Sequence, residues 1–107
     1  AMVKSMAKKA IVLGLANPIP EIWPKDALAA GAAVAMDGRT INNALAFPGL
    51  IRGTITANAK RITYAMKFAV AETLASLARK KELVPDFMQM NVHEKVAEAV
   101  VAAANAQ

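Results

Sequence analysis

The 107-residue sequence contains no cysteine, one histidine and only five phenylalanine, tyrosine and tryptophan residues in total. Without cysteine the chain has neither disulfides nor a thiol nucleophile, which is compatible with a reducing compartment and predicts a cytoplasmic protein. No apolar run approaches the ~20 residues that span a bilayer, so we expect no membrane partner. The single histidine, His93, has no second candidate metal ligand close to it in sequence, and we assign it no metal.

Several motifs that carry chemistry in other proteins are also missing. No Gly-x-Gly-x-x-Gly follows a predicted strand, and no Gly-Lys-Ser/Thr loop is present to bind phosphate. No group of histidine, aspartate and glutamate has metal-ligand spacing. The residues themselves therefore identify no catalytic group and no metal site.

The composition describes a folded chain with a thin core. Hydrophobic residues make up 56% of the sequence, which argues against disorder, but 25 of them are alanines, which bury little area. A second copy or further polypeptide is therefore expected to cover apolar surface. The net charge is +5, yet the basic residues are scattered and not interleaved with aromatics, so we expect no nucleic-acid partner.

The first third of the chain has the pattern of a strand, a short helix and a second strand. Apolar runs at 10–16 and 32–36 predict strands covered on both faces. Between them, Pro24 suits the first turn of a helix and Gly31 suits its C-terminal cap. Because so compact a crossover joins parallel strands, the sequence predicts a right-handed βαβ unit.

The remainder of the chain is predicted to be helical. A helix entered at Ala44 is expected to be interrupted at residues 48–49, which read Pro-Gly, and again at residues 52–53, which read Arg-Gly. Apolar residues at helical spacing predict a long helix over 57–81. A last helix is expected near Asn91, which has capping-box spacing to a glutamate three residues later.

Asparagines follow both predicted strands. Asn17 precedes Pro18 directly after the first strand, and Asn42 and Asn43 come shortly after the second. Amides at the carboxyl ends of parallel strands point into the crevice where α/β sheets bind ligands. Asn17 also suits a turn before proline, and either of the paired asparagines suits a helix cap, so both interpretations stay open.

Four stretches of this sequence together resemble bacterial malic enzymes. They are Leu-Ala-Asn-Pro-Ile-Pro-Glu-Ile at 15–22, Ala-Gly-Ala at 30–32, Gly-Arg at 38–39 and Asn-Asn-Ala-Leu-Ala-Phe-Pro-Gly at 42–49. The similarity covers nearly the whole chain and corresponds to the C-terminal part of the family's NAD(P)-binding domain. It implies a partial Rossmann-like, three-layer α/β fold with a short parallel sheet and two C-terminal helices, residues 1–107 forming a single domain or a fragment.

The resemblance also implies a function. Malic enzymes convert malate to pyruvate and carbon dioxide with NAD or NADP and a divalent Mg or Mn ion. By that resemblance Asn17 and one of Asn42 and Asn43 contact malate or the nicotinamide, with Asn43 slightly favoured for malate. The family's tyrosine–lysine pair, metal-binding carboxylates and glycine-rich loop lie upstream of this segment. The chain alone is therefore expected to be inactive.

One loop departs from the family pattern. After Gly38 and Arg39 the family has a longer Ser-Asp-x-Pro-Asn-Gln-type stretch, whereas here Thr40 and Ile41 lead directly to the paired asparagines. The loop beside the expected ligand site is thus shorter by about half a dozen residues than in the family it resembles. The competing hypothesis is a non-catalytic α/β interaction module that self-associates through its alanine-rich helices.

Overall fold

The computed structural model describes residues 1–78, 84–86 and 88–107, which form two compact units, Ala1–Asn42 and Asn43–Gln107. The first unit contains two strands and one helix, and the second contains three helices. In chain order the elements are β1 (Ile11–Gly14), α1 (Pro24–Ala29), β2 (Val34–Asp37), α2 (Phe47–Thr56), α3 (Tyr64–Leu77) and α4 (Met90–Asn105), with short 3₁₀ turns at Val3–Ser5 and Asn43–Leu45. The mixed α/β class with a short parallel sheet and C-terminal helices is confirmed.

The predicted βαβ unit is present, with parallel strands in the register Ile11 to Val34 and Gly14 to Asp37. The strand β1 is shorter than predicted because the N–H of Ala16 donates to the Glu21 carboxylate instead of to a neighbouring strand. The strand β2 begins later than predicted because the N–H of Ala32 still donates to a carbonyl of α1.

The ends of α1 follow the sequence prediction. Pro24 occupies the first turn, where a missing N–H costs nothing. At the other end Gly31 has a φ of 105°, and its N–H donates to the carbonyl oxygen of Leu28 at 3.0 Å. This backbone conformation is rarely adopted by residues with a Cβ, so glycine terminates the helix. The buried face of α1 is provided by Ala27, which is fully buried.

The expected interruptions at residues 48–49 and 52–53 are wrong. Pro48 lies in the first turn of α2, and the helix continues without a break to Thr56. Gly49 and Gly53 are buried and face α4, with Gly49 beside Val96 and Gly53 beside Val100. Glycine at both positions lets the two helices approach closely; it does not end α2.

The predicted long helix over 57–81 is wrong at its start. The chain leaves α2 at Ala57, and Asn58 adopts a φ of 52°, which closes the preceding helix. The next helix, α3, begins only at Tyr64 and ends at Leu77. The cationic residues 79–81, expected at its C-terminus, lie outside the described residues.

The capping box predicted at Asn91 is also wrong. The helix α4 begins at Met90, and its N-cap residue Gln89 makes no side-chain capping bond. A capping box is found instead at the start of α3, where the Thr63 hydroxyl accepts a hydrogen bond from the N–H of Met66 at 3.3 Å. The sulfur of Met66 accepts in return from the N–H of Thr63 at 3.4 Å.

Thr63→Ala is expected to lower the free energy of unfolding by about 1 kcal/mol, because the N–H of Met66 loses its acceptor. Urea denaturation followed by circular dichroism measures the change. Thr63→Ser retains the hydroxyl and should retain most of the stability, and Ser76→Ala serves as an exposed control on the same helix. A serine variant as unstable as the alanine variant would contradict the cap.

The core of the second unit lies among its three helices. Its buried cluster comprises Leu50, Met66, Val70, Val96 and Val100, with Leu74 and several alanines packed around it. The buried face of α4 carries a row of valines, because Val92, Val96 and Val100 are each at most 1% exposed. The two glycines of α2 bring this valine row against the helix backbone.

Candidate functional site

The amide of Asn17 lies against Gly38, the residue that follows β2. A Cβ placed on Gly38 would stand 2.9 Å from the Asn17 Nδ2, 3.1 Å from its Oδ1 and 2.6 Å from the carbonyl oxygen of Leu15. These distances are too short for a real side chain, so glycine is required for this close contact. The contact joins the loop after β1 to the end of β2.

The loop that carries Asn17 is closed by a carboxylate. Both oxygens of Glu21 accept from the N–H of Ala16, at 3.1 and 3.4 Å. Within this loop the Asn17–Pro18 peptide bond is cis, and Pro20 is buried. Asn17 itself is exposed, and its side chain makes no hydrogen bond to another of the described residues. Its donors and acceptor are therefore not used by hydrogen bonds within the described residues.

The loop after β2 is organised by Asp37. One carboxylate oxygen accepts from the N–H groups of Arg39 and Thr40 at 3.1 and 3.3 Å, and from the Thr40 hydroxyl at 3.4 Å. The carbonyl oxygen of Arg39 in turn accepts from the Nδ2 of Asn42 at 3.3 Å. This bond fixes the direction of the Asn42 side chain. The two sequence-predicted amides of the first unit therefore both follow strands at the carboxyl end of the sheet.

A cation–π contact also spans these two loops. The Arg39 guanidinium lies over the Trp23 ring, 5.8 Å from its centroid. Trp23 ends the first loop and is 39% exposed. No sequence motif pointed to this tryptophan, although it is the only one in the chain and it immediately precedes Pro24. Its uniqueness and its place directly before a proline were the sequence features that could have identified it.

Asn43 begins the second unit and is described with it. Its carbonyl oxygen accepts from the N–H of Ala46 at 3.1 Å, which forms the 3₁₀ turn before α2. Its side chain is exposed and lines a groove of about 680 Å³ along the outer face of α2. The other residues of this groove are mostly apolar: Ala44, Phe47, Pro48, Ile51, Arg52, Ile55 and Thr56.

Tyr64 and Lys67 have the spacing of an acid/base pair but are exposed. Tyr64 is 79% exposed, and the Lys67 ammonium lies over its ring at 5.1 Å from the centroid. Their exposure makes this pair part of the helix surface. Across residues 1–78, 84–86 and 88–107, no three histidine, cysteine, aspartate or glutamate side chains are grouped so as to hold a metal ion. None of the helices in this part of the chain has the length and hydropathy to cross a membrane.

A parallel strand–helix–strand unit with polar groups beyond its strand ends is typical of nucleotide-binding α/β domains. Within that class, residues 24–105 match the family model described as "Malic enzyme, NAD binding domain", and the chain belongs to this family. The resemblance inferred from the asparagine motifs is confirmed.

Individual proteins that are similar in sequence to this chain are also malic enzymes. The chain is 46% identical over 94 residues to NAD-dependent malic enzyme 1 of Bacillus subtilis, covering 88% of this chain and 21% of that protein. It is 44% identical over 113 residues to the bifunctional malic/malolactic enzyme of the same organism, covering 96% and 28%. An alignment longer than the 107-residue chain means that this relative carries residues that the chain lacks.

Solved structures show the same architecture. The crystal structure of malic enzyme from Pyrococcus horikoshii matches with a TM-score of 0.88 at 37% identity, covering 97% of this chain and 26% of that one. Malic enzyme from Entamoeba histolytica matches with a TM-score of 0.86 at 32% identity and covers 97% and 24%. The chain thus spans about a quarter of the length of these relatives.

Proposed function

We propose that this chain is part of a malic enzyme-like oxidoreductase and contributes asparagines that bind malate and the nicotinamide of NAD or NADP. The observation that carries the proposal is the placement of Asn17 on Gly38, beyond the carboxyl ends of two parallel strands. Asn42, held by the carbonyl oxygen of Arg39, supplies a second amide at the same end. Asn43 is the third proposed contact, with an exposed side chain.

Amide side chains suit this task because each offers donors and an acceptor without carrying charge. An amide can donate to a malate carboxylate and accept from its hydroxyl or from a nicotinamide carboxamide. Binding of this kind orients the two reactants, and orientation lowers the barrier to a transfer between them. The bound NAD or NADP would supply the hydride chemistry, and the asparagines would hold the groups that surround it.

We also propose that residues 1–107 form the C-terminal half of a malic-enzyme NAD(P)-binding domain. The strand β1 pairs with β2 alone among the described residues, and its side chains Ile11 and Leu13 are 62% and 45% exposed. Leu15 and Ile19, in the loop that follows, are 50% and 70% exposed. Apolar side chains this exposed are usually buried by further polypeptide or by a second copy.

The proposal that the cofactor is NAD or NADP rests on similarity to NAD-dependent and to NADP-dependent malic enzymes. Among the similar proteins are an NAD-dependent malic enzyme 1 of Bacillus subtilis and, at 45% identity over 91 residues, an NADP-dependent malic enzyme of Rhizobium meliloti. The divalent ion of the intact family would be held by residues outside those described here, since these contain no group able to ligate it. The chain alone is therefore proposed to bind without turnover.

Titration of the isotope-labelled chain with sodium L-malate and NADH, followed by two-dimensional NMR, tests the site. We expect saturable shifts at the Asn17 and Asn42 side-chain amides. Asn17→Ala should weaken malate binding about tenfold, because a hydrogen-bonding partner of a charged ligand is lost. Asn105→Ala, an exposed change at the end of α4, is the matched control and should bind malate normally.

A graft extends the test to catalysis. The corresponding segment of the Bacillus subtilis NAD-dependent malic enzyme 1 is replaced by this chain, and NADH formation from malate with manganese is followed. We expect turnover by the graft and none by the chain alone. Turnover by the isolated chain would contradict the proposed division of the enzyme, and normal binding by Asn17→Ala would remove Asn17 from the site.

A second candidate is a non-catalytic module that self-associates through its helices, the alternative that the alanine content suggested. The apolar groove on α2 favours it, because Phe47, Ile51 and Ile55 are 51%, 39% and 73% exposed. Sedimentation velocity at several concentrations measures association. Such a module would self-associate yet show no saturable shift with malate or NADH, which distinguishes it from the enzyme part.

A further inference from the structure

Two adjacent residues after β2 contact both amides of the first unit. Gly38 seats the Asn17 side chain, and the carbonyl oxygen of Arg39 accepts from the Asn42 Nδ2 at 3.3 Å. A displacement of residues 38–39 would therefore move both amides together. Whatever holds Arg39 in place also determines the geometry of the site.

The backbone and the side chain of Arg39 are held by different partners. The Asp37 carboxylate accepts from the Arg39 N–H at 3.1 Å and so positions the main chain. The guanidinium is placed by Trp23, whose ring it covers at 5.8 Å from the centroid. A separation below about 6 Å is within the range where the ring attracts a cation. Trp23 also ends the loop that carries Asn17, so this contact links the two loops by their side chains.

The guanidinium brings positive charge to a site whose proposed ligand-binding groups are neutral amides and whose two carboxylates, Glu21 and Asp37, accept hydrogen bonds from backbone N–H groups of their own loops. Arginine carries its charge at every physiological pH and presents several donors in a planar fork that fits a carboxylate. With its central carbon 5.8 Å from the ring centroid and the residue exposed, the guanidinium remains accessible to a ligand. Arg39 is exposed, and within residues 1–78, 84–86 and 88–107 its guanidinium forms no salt bridge with a carboxylate.

We propose that Trp23 holds the side chain of Arg39 while Asp37 holds its main chain, so that Arg39 positions Asn42 and supplies the charge that selects carboxylate ligands at the amide site. This inference rests on the proposed function for the identity of the ligand, a small dicarboxylate. The positioning of Asn42 by Arg39 can be measured without any ligand, from the NMR signals of the Asn42 side-chain amide. Trp23 acts through Arg39 and is a positioning residue, whereas Arg39 would touch the ligand.

The test uses the full 107-residue chain and sodium L-malate as the probe. Arg39→Gln should weaken malate binding about tenfold, whereas Arg39→Lys, which keeps the charge, should weaken it only about threefold. Trp23→Leu should weaken binding about fivefold, and Trp23→Phe, which keeps an aromatic face, should restore most of it. Without malate, Arg39→Gln and Trp23→Leu should shift the NMR signals of the Asn42 side-chain amide.

Lys67→Gln is the matched control. Lys67 also lies over an aromatic ring, that of Tyr64, so this variant removes one cation and one cation–π contact in the other unit. It should change neither malate affinity nor the Asn42 signals. An effect as large as that of Arg39→Gln would show that net charge alone matters and would overturn the inference.

The remaining outcomes distinguish a failure of this inference from a failure of the proposed malate-binding function. Unmoved Asn42 signals in both Arg39→Gln and Trp23→Leu would refute the positioning role. Equal losses in Arg39→Lys and Arg39→Gln would refute the charge role. Failure of the unsubstituted chain to bind malate would refute the proposed function and with it the carboxylate selection, while the Asn42 signals would still decide the positioning role.

Discussion

Replacing Gly53 with valine is expected to lower the stability of the helical unit by about 3 kcal/mol, the largest loss predicted for any substitution here. A Cβ at this position would stand 2.6 Å from both the carbonyl oxygen of Ala97 and the Cβ of Val100. Neither atom belongs to the flexible end of a side chain, so α2 and α4 must separate. That separation would open the cluster that contains Val96 and Val100.

Thermal unfolding followed by circular dichroism measures this loss, which should lower the Tm by more than about 10 °C for a domain of this size. Gly53→Ala should give a smaller loss, since alanine's better helix propensity offsets about 1 kcal/mol. Thr56→Val introduces the same branched side chain at an exposed position of α2 and should be nearly neutral. A Gly53→Val variant as stable as Thr56→Val would contradict the close approach of the two helices.

Gly38→Ala is expected to reduce the kcat/KM of the grafted enzyme about 100-fold, because a misplacement of about 1 Å at a binding group can cost this much. The added Cβ would meet the Asn17 Nδ2 at 2.9 Å and the carbonyl oxygen of Leu15 at 2.6 Å. The asparagine must then move off residue 38. Because Gly38→Ala removes no polar group, the loss of kcat/KM would reflect only the changed position of Asn17.

Gly31→Ala is the control for general destabilisation. It introduces strain at a φ of 105° but places no atom within 4 Å of a neighbour, and it lies in the turn after α1, not in either loop that carries a proposed binding asparagine. It should lower the Tm yet leave the KM for malate nearly unchanged. An activity in Gly38→Ala equal to that in Gly31→Ala would show that Asn17 is not displaced, or that its position does not matter.

Much of the first unit followed from local signals in the sequence. Apolar runs bounded by proline and glycine predicted two strands and a helix, and Pro24 and Gly31 have the roles expected of them. These signals are reliable because the geometry of each residue's own backbone produces them. The strand ends were less predictable, since a side chain, the Glu21 carboxylate, replaced a strand as the partner of Ala16.

The second unit shows where local signals mislead. The Pro-Gly and Arg-Gly pairs of α2 looked like helix breakers, yet both glycines lie within one continuous helix. In a sequence, a glycine that ends a helix cannot be distinguished from a glycine that lets a neighbouring helix approach. Only the valine row of α4 shows which role applies here. The cap at Thr63 was missed because methionine completes it where glutamate or glutamine is usual.

The sequence by itself determined the family, the two parallel strands and the asparagines that follow them, because these depend on motifs and on short-range backbone preferences. Only the tertiary structure decided that Gly38 seats Asn17, that Arg39 lies over Trp23 and that the α2 glycines face valines. Each of these contacts joins residues more than a dozen positions apart. Contacts between such distant residues depend on how whole helices and strands pack together. A local sequence pattern does not specify that packing.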